Sequence, residues 1–297
     1  MLRAYPEFAA VVAAAIVGLS VQRPLAWADR HNGINILLAI LVLSTAVTVD
    51  AGAFGALRSS RWRLLASLAL GITVLPALSW AVAQIVPAGA LRQGVMVVGL
   101  APCEIASVAT TRMARGQPAL SAVVLVGSTV LAVALAGPIL SLEAAGVAVH
   151  PAHIISNLAL VVALPLAAGI ALRARWPVVR RAEPVSNAVA TAAVALLVAL
   201  IAAQVHLGLD YLSVLGASLL FLGATAALGW VLGLRTPLTV GVALLLTTSM
   251  RDFAIAAGLA TAAFGAAAAA PLGLYGIVVL VWGTAVAGAL RARGAGP

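Results

Sequence analysis

The chain has 297 residues, of which 64% are hydrophobic and only 8% charged, against about a quarter charged in a soluble domain. So little charge cannot clothe a water-facing surface, which excludes a soluble globular protein. The net charge of +9 comes from arginines spread over short segments with no single basic face, which argues against nucleic-acid binding.

Apolar stretches recur at about 20 residues, the length that crosses a hydrocarbon core of about 30 Å at 1.5 Å per helical residue. They predict about ten spans, near 8 to 26, 33 to 55, 64 to 86, 91 to 112, 118 to 140, 153 to 174, 186 to 206, 211 to 234, 237 to 263 and 270 to 290. No soluble domain of useful length lies between them. The first span follows a single Arg3 and precedes nine others, so it does not read as a cleaved signal. With the N-terminus inside, thirteen of the seventeen basic residues fall on cytoplasmic segments and three, Arg23, Arg30 and Arg92, on the other side. The positive-inside rule then puts both termini in the cytoplasm. All seventeen are arginine, and alanine is in excess, which suggests a GC-rich bacterial genome and hence a bacterial inner membrane.

The remaining arginine is Arg251. In "LLLTTSMRDFAIAAGLA" it stands beside Asp252 near the centre of the ninth span, and Glu104 in "GLAPCEIASVATTRMARG" is a third charge within the fourth. Insertion charges roughly 2.5 to 3.5 kcal/mol for each such residue at a helix centre. Sequence neighbours on a helix point about 100° apart, so Arg251 and Asp252 cannot pair unless the helix breaks there. Glu104 is the expected partner of Arg251. Pro102 removes a backbone donor and breaks the fourth span, and broken backbone at that depth must line a cavity or be buried in protein. The two spans hold equivalent places in two oppositely oriented sets of five, 1–145 and 146–297. Paired interruptions of that kind point to a transporter's midplane site. The fold expected is all-α, with two inverted five-helix repeats and broken crossover helices four and nine.

Other features carry less. Cys103 is the only cysteine, which rules out an intramolecular disulfide. His150 and His153 lie three apart beside Pro151 in an extracellular loop, as solvated residues do. Trp27, Trp62, Trp176 and Trp230 sit near span ends as interfacial anchors. The chain offers no nucleotide-binding glycine loop, no metal cluster and no Ser-His-Asp set at plausible depth, so neither an enzyme nor a cofactor is expected.

Residues 99 to 140, "GLAPCEIASVATTRMARGQPALSAVVLVGSTVLAVALAGPIL", resemble the bile acid:sodium symporter family, whose corresponding stretch runs Pro-Gly-Gly-x-x-Ser-Asn, Ala-x-Gly-Asn/Asp-x-x-Leu-Ser, then Ser-Thr and Pro. "TTSMRDFAIAAGLA" resembles its second crossover, Glu-x-Gly-Met-Gln-Asn-x-x-Leu-Ala. The resemblance implies a panel domain of spans 1, 2, 6 and 7 and a core domain of spans 3–5 and 8–10. Substrate would lie between them, opposite the crossing, with alternating access by one domain rocking against the other. Of the positions matching the family's sodium ligands, Ser107 and Ser121 are retained. The others are Val108, Leu125, Thr247, Arg251 and Gly71. Most of both cation sites has gone, and a guanidinium stands where a sodium ligand should be. Arg251 then serves as a built-in cation, with weak or no sodium coupling and either proton coupling through Glu104 and Asp252 or facilitated diffusion in its place.

The candidate substrate and coupling-ion residues are Glu104, Ser107, Thr111, Ser121, Thr247, Thr248, Arg251 and Asp252, with Pro102 and Cys103 at the crossover break. The function expected is secondary transport of a small organic anion, the anion inferred from Arg251, from two half-helix N-termini aimed at the crossing and from the family. Arsenite permeases of the same superfamily also resemble "APC" at 101 to 103 and the acid before "AIA", which makes a metalloid permease the alternative. A membrane protein with a structural or signalling role and no flux is the remaining reading, and it gives no reason for paired broken helices bearing charges.

Overall fold

The computed structural model describes residues 13, 14, 16–18, 20, 21, 24, 25, 32–48, 61–143, 150–176, 179, 182–203 and 208–293. Much of the first span, the C-terminal part of the second, Trp27 and several of the assigned loop arginines lie outside these. Among the described residues the regular structure is entirely helical, with one isolated two-residue β-bridge.

In chain order the helices are α1 (Gly33–Ala46), α2 (Arg61–Ile72), α3 (Val74–Ala83), α4 (Ala90–Met96, followed by a 3-10 turn Val97–Leu100), α5 (Ala106–Met113), α6 (Pro118–Glu143), α7 (Pro151–Leu158), α8 (Leu164–Arg175), α9 (Glu183–Ala202), α10 (Asp210–Gly233), α11 (Leu238–Ser249), α12 (Phe253–Phe264) and α13 (Ala270–Arg293). Six helices among the described residues are long and apolar enough to cross a bilayer: Arg61–Ala83, Pro118–Glu143, Pro151–Arg175, Glu183–Ala202, Asp210–Gly233 and Ala266–Arg291. These match predicted spans 3, 5, 6, 7, 8 and 10. Spans 4 and 9 are each divided into two shorter helices, α4–α5 and α11–α12. The chain is a multi-pass membrane protein.

Proline shapes three of the long spans. Pro76 cannot donate to the carbonyl four residues back, and the third span is interrupted at Thr73, between α2 and α3. Pro165 follows a π-turn over Ala159–Ala163 that joins α7 to α8, a single-turn insertion of the sort that often marks a working site. Pro138 lies inside α6.

Small residues set the closest approaches. A Cβ at Gly169 would overlap the methyl of Ala46, so α8 and α1 pack nearly backbone to backbone. One at Gly99 would collide with the Leu75 carbonyl and the Ser79 hydroxyl, which fixes the end of α4 and its 3-10 turn against α3. α1 also packs along α9, and α10 along α11. Trp62, Trp176 and Trp230 are exposed at or near helix ends, as expected of interfacial anchors.

Candidate functional site

Both broken spans release backbone groups that a continuous helix would have paired. Ala101, before Pro102, takes the extended conformation that a following proline favours, and Met250 and Asp252 are extended as well. The linkers 101–105 and 250–252 cross in antiparallel fashion. The Glu104 N–H donates to the Met250 carbonyl at 2.8 Å and the Asp252 N–H to the Pro102 carbonyl at 2.9 Å, with Cys103 facing Arg251. The crossing thus supplies from one span the partners that the other has lost, as buried backbone inside a membrane requires.

This pairing sorts the side chains. Successive residues of an extended segment point to opposite faces. Cys103 and Arg251 therefore share one face, while Glu104 and Asp252 share the other as a diagonal pair. All three charged residues are buried: Glu104 is 5% exposed, Arg251 4% and Asp252 1%.

The expected ion pair between Arg251 and Glu104 does not form. Among the described residues no carboxylate lies within ion-pair distance of the Arg251 guanidinium; the ion pair that is present joins Arg173 to Glu183 at 3.8 Å. Arg251 instead donates to the carbonyl of Ala101, at the C-terminal end of the 3-10 turn of span four. Its backbone N–H donates to the Tyr275 hydroxyl of α13 at 3.3 Å. The reason is geometric, since the acids lie on the opposite face of the crossing.

Each charge meets a helix end of the sign it can stabilise. Asp252 caps α12, its Oδ1 accepting from the Ile255 N–H at 2.8 Å. Glu104 stands at the start of α5, with Oε1 accepting from the Ala106 N–H at 3.5 Å. Carboxylates at helix N-termini and a cation at a C-terminus each contribute about 0.3 to 2 kcal/mol. That offsets part of an insertion cost of roughly 2.5 to 3.5 kcal/mol per charge. Glu104 Oε2, Asp252 Oδ2 and Arg251 Nε remain buried without a partner.

The other sequence candidates divide. Thr111 and Ser121 come together, their hydroxyl oxygens 2.9 Å apart. Ser107 donates to Cys103 Sγ at 3.9 Å. Thr247 returns its hydroxyl to the Ala243 carbonyl at 2.8 Å, one turn back on its own helix. Thr248 is turned against Gly229 of α10, its hydroxyl unpartnered, so it does not join the set. Gly71 lies beside Arg251: a Cβ there would sit 3.7 Å from Nη2, so a longer side chain would compete with the guanidinium for its space. Two contributors escaped the sequence reading, Tyr275 and Ser128, whose Oγ accepts the Cys103 N–H at 3.2 Å. A tyrosine in the interior of the tenth span was the signal available, because a buried phenol needs a partner.

A small cavity of about 10 Å³ adjoins the crossing, between α1 and the α7–α8 span on one side and the 101–105 linker, α6 and α12 on the other. Val42, Val162, Leu166, Ile105 and Ile255 line it, together with Thr45. It has room for about one water, so an organic solute enters only if the two sides part.

Cys103 is fully buried on the Arg251 face among aliphatic side chains. Among the described residues no three of His, Cys, Asp and Glu gather as a metal site would require. Cys103→Ser should therefore leave solute uptake within about twofold of wild type, since volume and weak polarity are nearly kept. The check is uptake beside arsenite resistance in cells; loss of a wild-type resistance would favour the metalloid permease.

No curated protein matches the chain. A sequence profile of the Sodium Bile acid symporter family matches residues 35–215, a stretch that includes the Glu104 crossover strand and ends before Arg251 and Asp252. That match takes in well over half of the 297 residues, and the chain belongs to the sodium bile acid symporter family.

Proposed function

We propose that the protein is a secondary transporter that moves a small organic ion by alternating access and does not couple to sodium. The panel would comprise spans 1, 2, 6 and 7 and the core spans 3–5 and 8–10, related as two inverted halves in a bacterial inner membrane with both termini cytoplasmic. Equivalently placed breaks at 101–105 and 250–252 support the inverted halves. The cavity between α1, α7–α8 and the crossing supports a solute path between panel and core.

One observation carries the coupling. Arg251 sits inside the crossing, hydrogen-bonded to the Ala101 carbonyl in space that Gly71 leaves open. Two unit charges about 4 Å apart repel by roughly 4 kcal/mol at an effective dielectric of 20, which weakens binding of a free cation about a thousandfold. The protein carries its own cation where a coupling ion would have to sit.

Uptake of small organic ions into proteoliposomes of the full chain, with an inward sodium gradient and with potassium in its place, tests this. Equal initial rates are expected. A rate that rises steeply and saturably with sodium would show that the guanidinium does not substitute for the ion. The anion inferred from sequence relied on an open Arg251 and two open helix N-termini. Here the guanidinium donates to the Ala101 carbonyl and keeps its Nε without a partner, and a carboxylate stands at each N-terminus.

A further inference from the structure

We propose a second site, at the arginine-rich end of the bundle, where a cavity between the ends of spans three, four, five, eight and nine takes a phosphate group. It stands apart from the crossing and does not depend on the transport reading.

The cavity has a volume of about 510 Å³, within the usual range for small-molecule sites. Arg63 at the start of α2 lines it, with 116–118 ahead of α6 and Pro237, Thr239 and Val240 at the start of α11. Two matching turns shape it. Just past α5 and α10 the chain passes through an arginine in the left-handed conformation, Arg115 at φ 58° and Arg235 at φ 59°, which turns it sharply toward the next helix. The Gln117 N–H then donates to the Thr239 carbonyl at 2.9 Å, so the starts of α6 and α11 are fastened side by side.

The charge at this place is all of one sign. Backbone N–H groups in the first turn of a helix have no partner four residues back, and α11 begins without a side-chain cap. Two such ends together present positive potential to an anion. Arg63 adds a full charge. Its one bond among the described residues is a long one, 3.5 Å from Nη2 to the Arg235 carbonyl, which leaves the other donors of the fork open. Residues 51–103, 105–142 and 211–251, which supply these spans, contain no aspartate or glutamate. A planar fork beside backbone N–H groups suits phosphate oxygens.

Trp62, next to Arg63, is 72% exposed, with the Arg61 guanidinium 5.6 Å from its ring centre. Aromatic residues so placed sit at headgroup level. Phosphate reaches that depth from two sources, the headgroup of an anionic phospholipid or a phosphate ester in solution, and basic pockets between span ends are suited to the first.

The test separates the two. Full-length protein in a phosphate-free maltoside detergent is titrated at constant ionic strength with dihexanoyl phosphatidylglycerol, with glycerol 3-phosphate and with dihexanoylglycerol, and its melting temperature recorded. A phosphate ligand should raise it saturably, and dihexanoylglycerol, which lacks the phosphate, should not. Stabilisation by the phospholipid alone identifies a headgroup site; stabilisation by glycerol 3-phosphate identifies a site for phosphate esters from solution. Arg63→Gln gives up only the one long bond, so it should fold, and it should bind the phosphate ligand about tenfold more weakly through loss of a charge-assisted contact. Arg61→Gln, exposed and outside the cavity, should bind as wild type does. Equal affinities for the two variants, reduced or not, would overturn the site. So would equal stabilisation by dihexanoylglycerol and the phospholipid, or none by either phosphate ligand in a protein that melts cooperatively.

Discussion

Arg251→Ala should produce the largest single loss in this protein. The Ala101 carbonyl would be left buried without its donor, at about 1 to 3 kcal/mol. Glu104 and Asp252 would lose the nearest positive charge, a further cost of comparable size for an uncompensated buried acid. Together these come to about 2 to 6 kcal/mol, which reaches the lower end of the stability of a typical domain, about 5 to 15 kcal/mol. The variant should express poorly, melt well below wild type in detergent and transport nothing. Arg251→Lys keeps the charge and one donor and loses the planar fork, so it should recover part of the melting temperature. An alanine variant that melts with wild type would show that the guanidinium does not hold span four to span nine.

The two oxygens of Asp252 differ, and two substitutions separate the cap from the charge. Its Oδ1 caps α12 through the Ile255 N–H, while Oδ2 is buried without a partner. Asp252→Ala removes both and should cost about 0.5 to 2 kcal/mol through the lost cap alone. Asp252→Asn retains the capping oxygen, so it should melt within a few degrees of wild type. Equal melting temperatures for the two variants would separate α12 from its cap.

How far these residues could be read from the chain depends on what each interaction is made of. Pro102 announces the break in span four because the missing N–H is written in the residue itself. Spans 3, 5, 6, 7, 8 and 10 are legible from apolar length alone, and the crossing from two charged stretches at matching places. The partner of Arg251 was not legible. Counting acids leads to Glu104, but the group that accepts the guanidinium is a main-chain carbonyl at Ala101, and carbonyls have no letter in a sequence. The pleat that turns Glu104 and Asp252 away from Arg251 appears only once residues 103 and 251 pair. Tyr275 and Ser128 were missed for a related reason: each serves a backbone N–H freed by the break, at Arg251 and Cys103. Thr111 and Ser121 meet across α5 and α6, whereas Thr248 turns toward α10 because Gly229 leaves room for it there.

The break in span nine contains neither proline nor glycine: between Ser249 and Phe253 stand only Met250, Arg251 and Asp252. Nothing in those three residues forbids a continuous helix. What opens it is the backbone of span four, offered through the Pro102 carbonyl and the Glu104 N–H. The two interruptions are therefore unequal, one intrinsic and one templated. During synthesis the chain emerges from its N-terminus, so the template is threaded into the bilayer well before the segment that copies it. Order of biogenesis is thereby built into which half of the protein carries the proline.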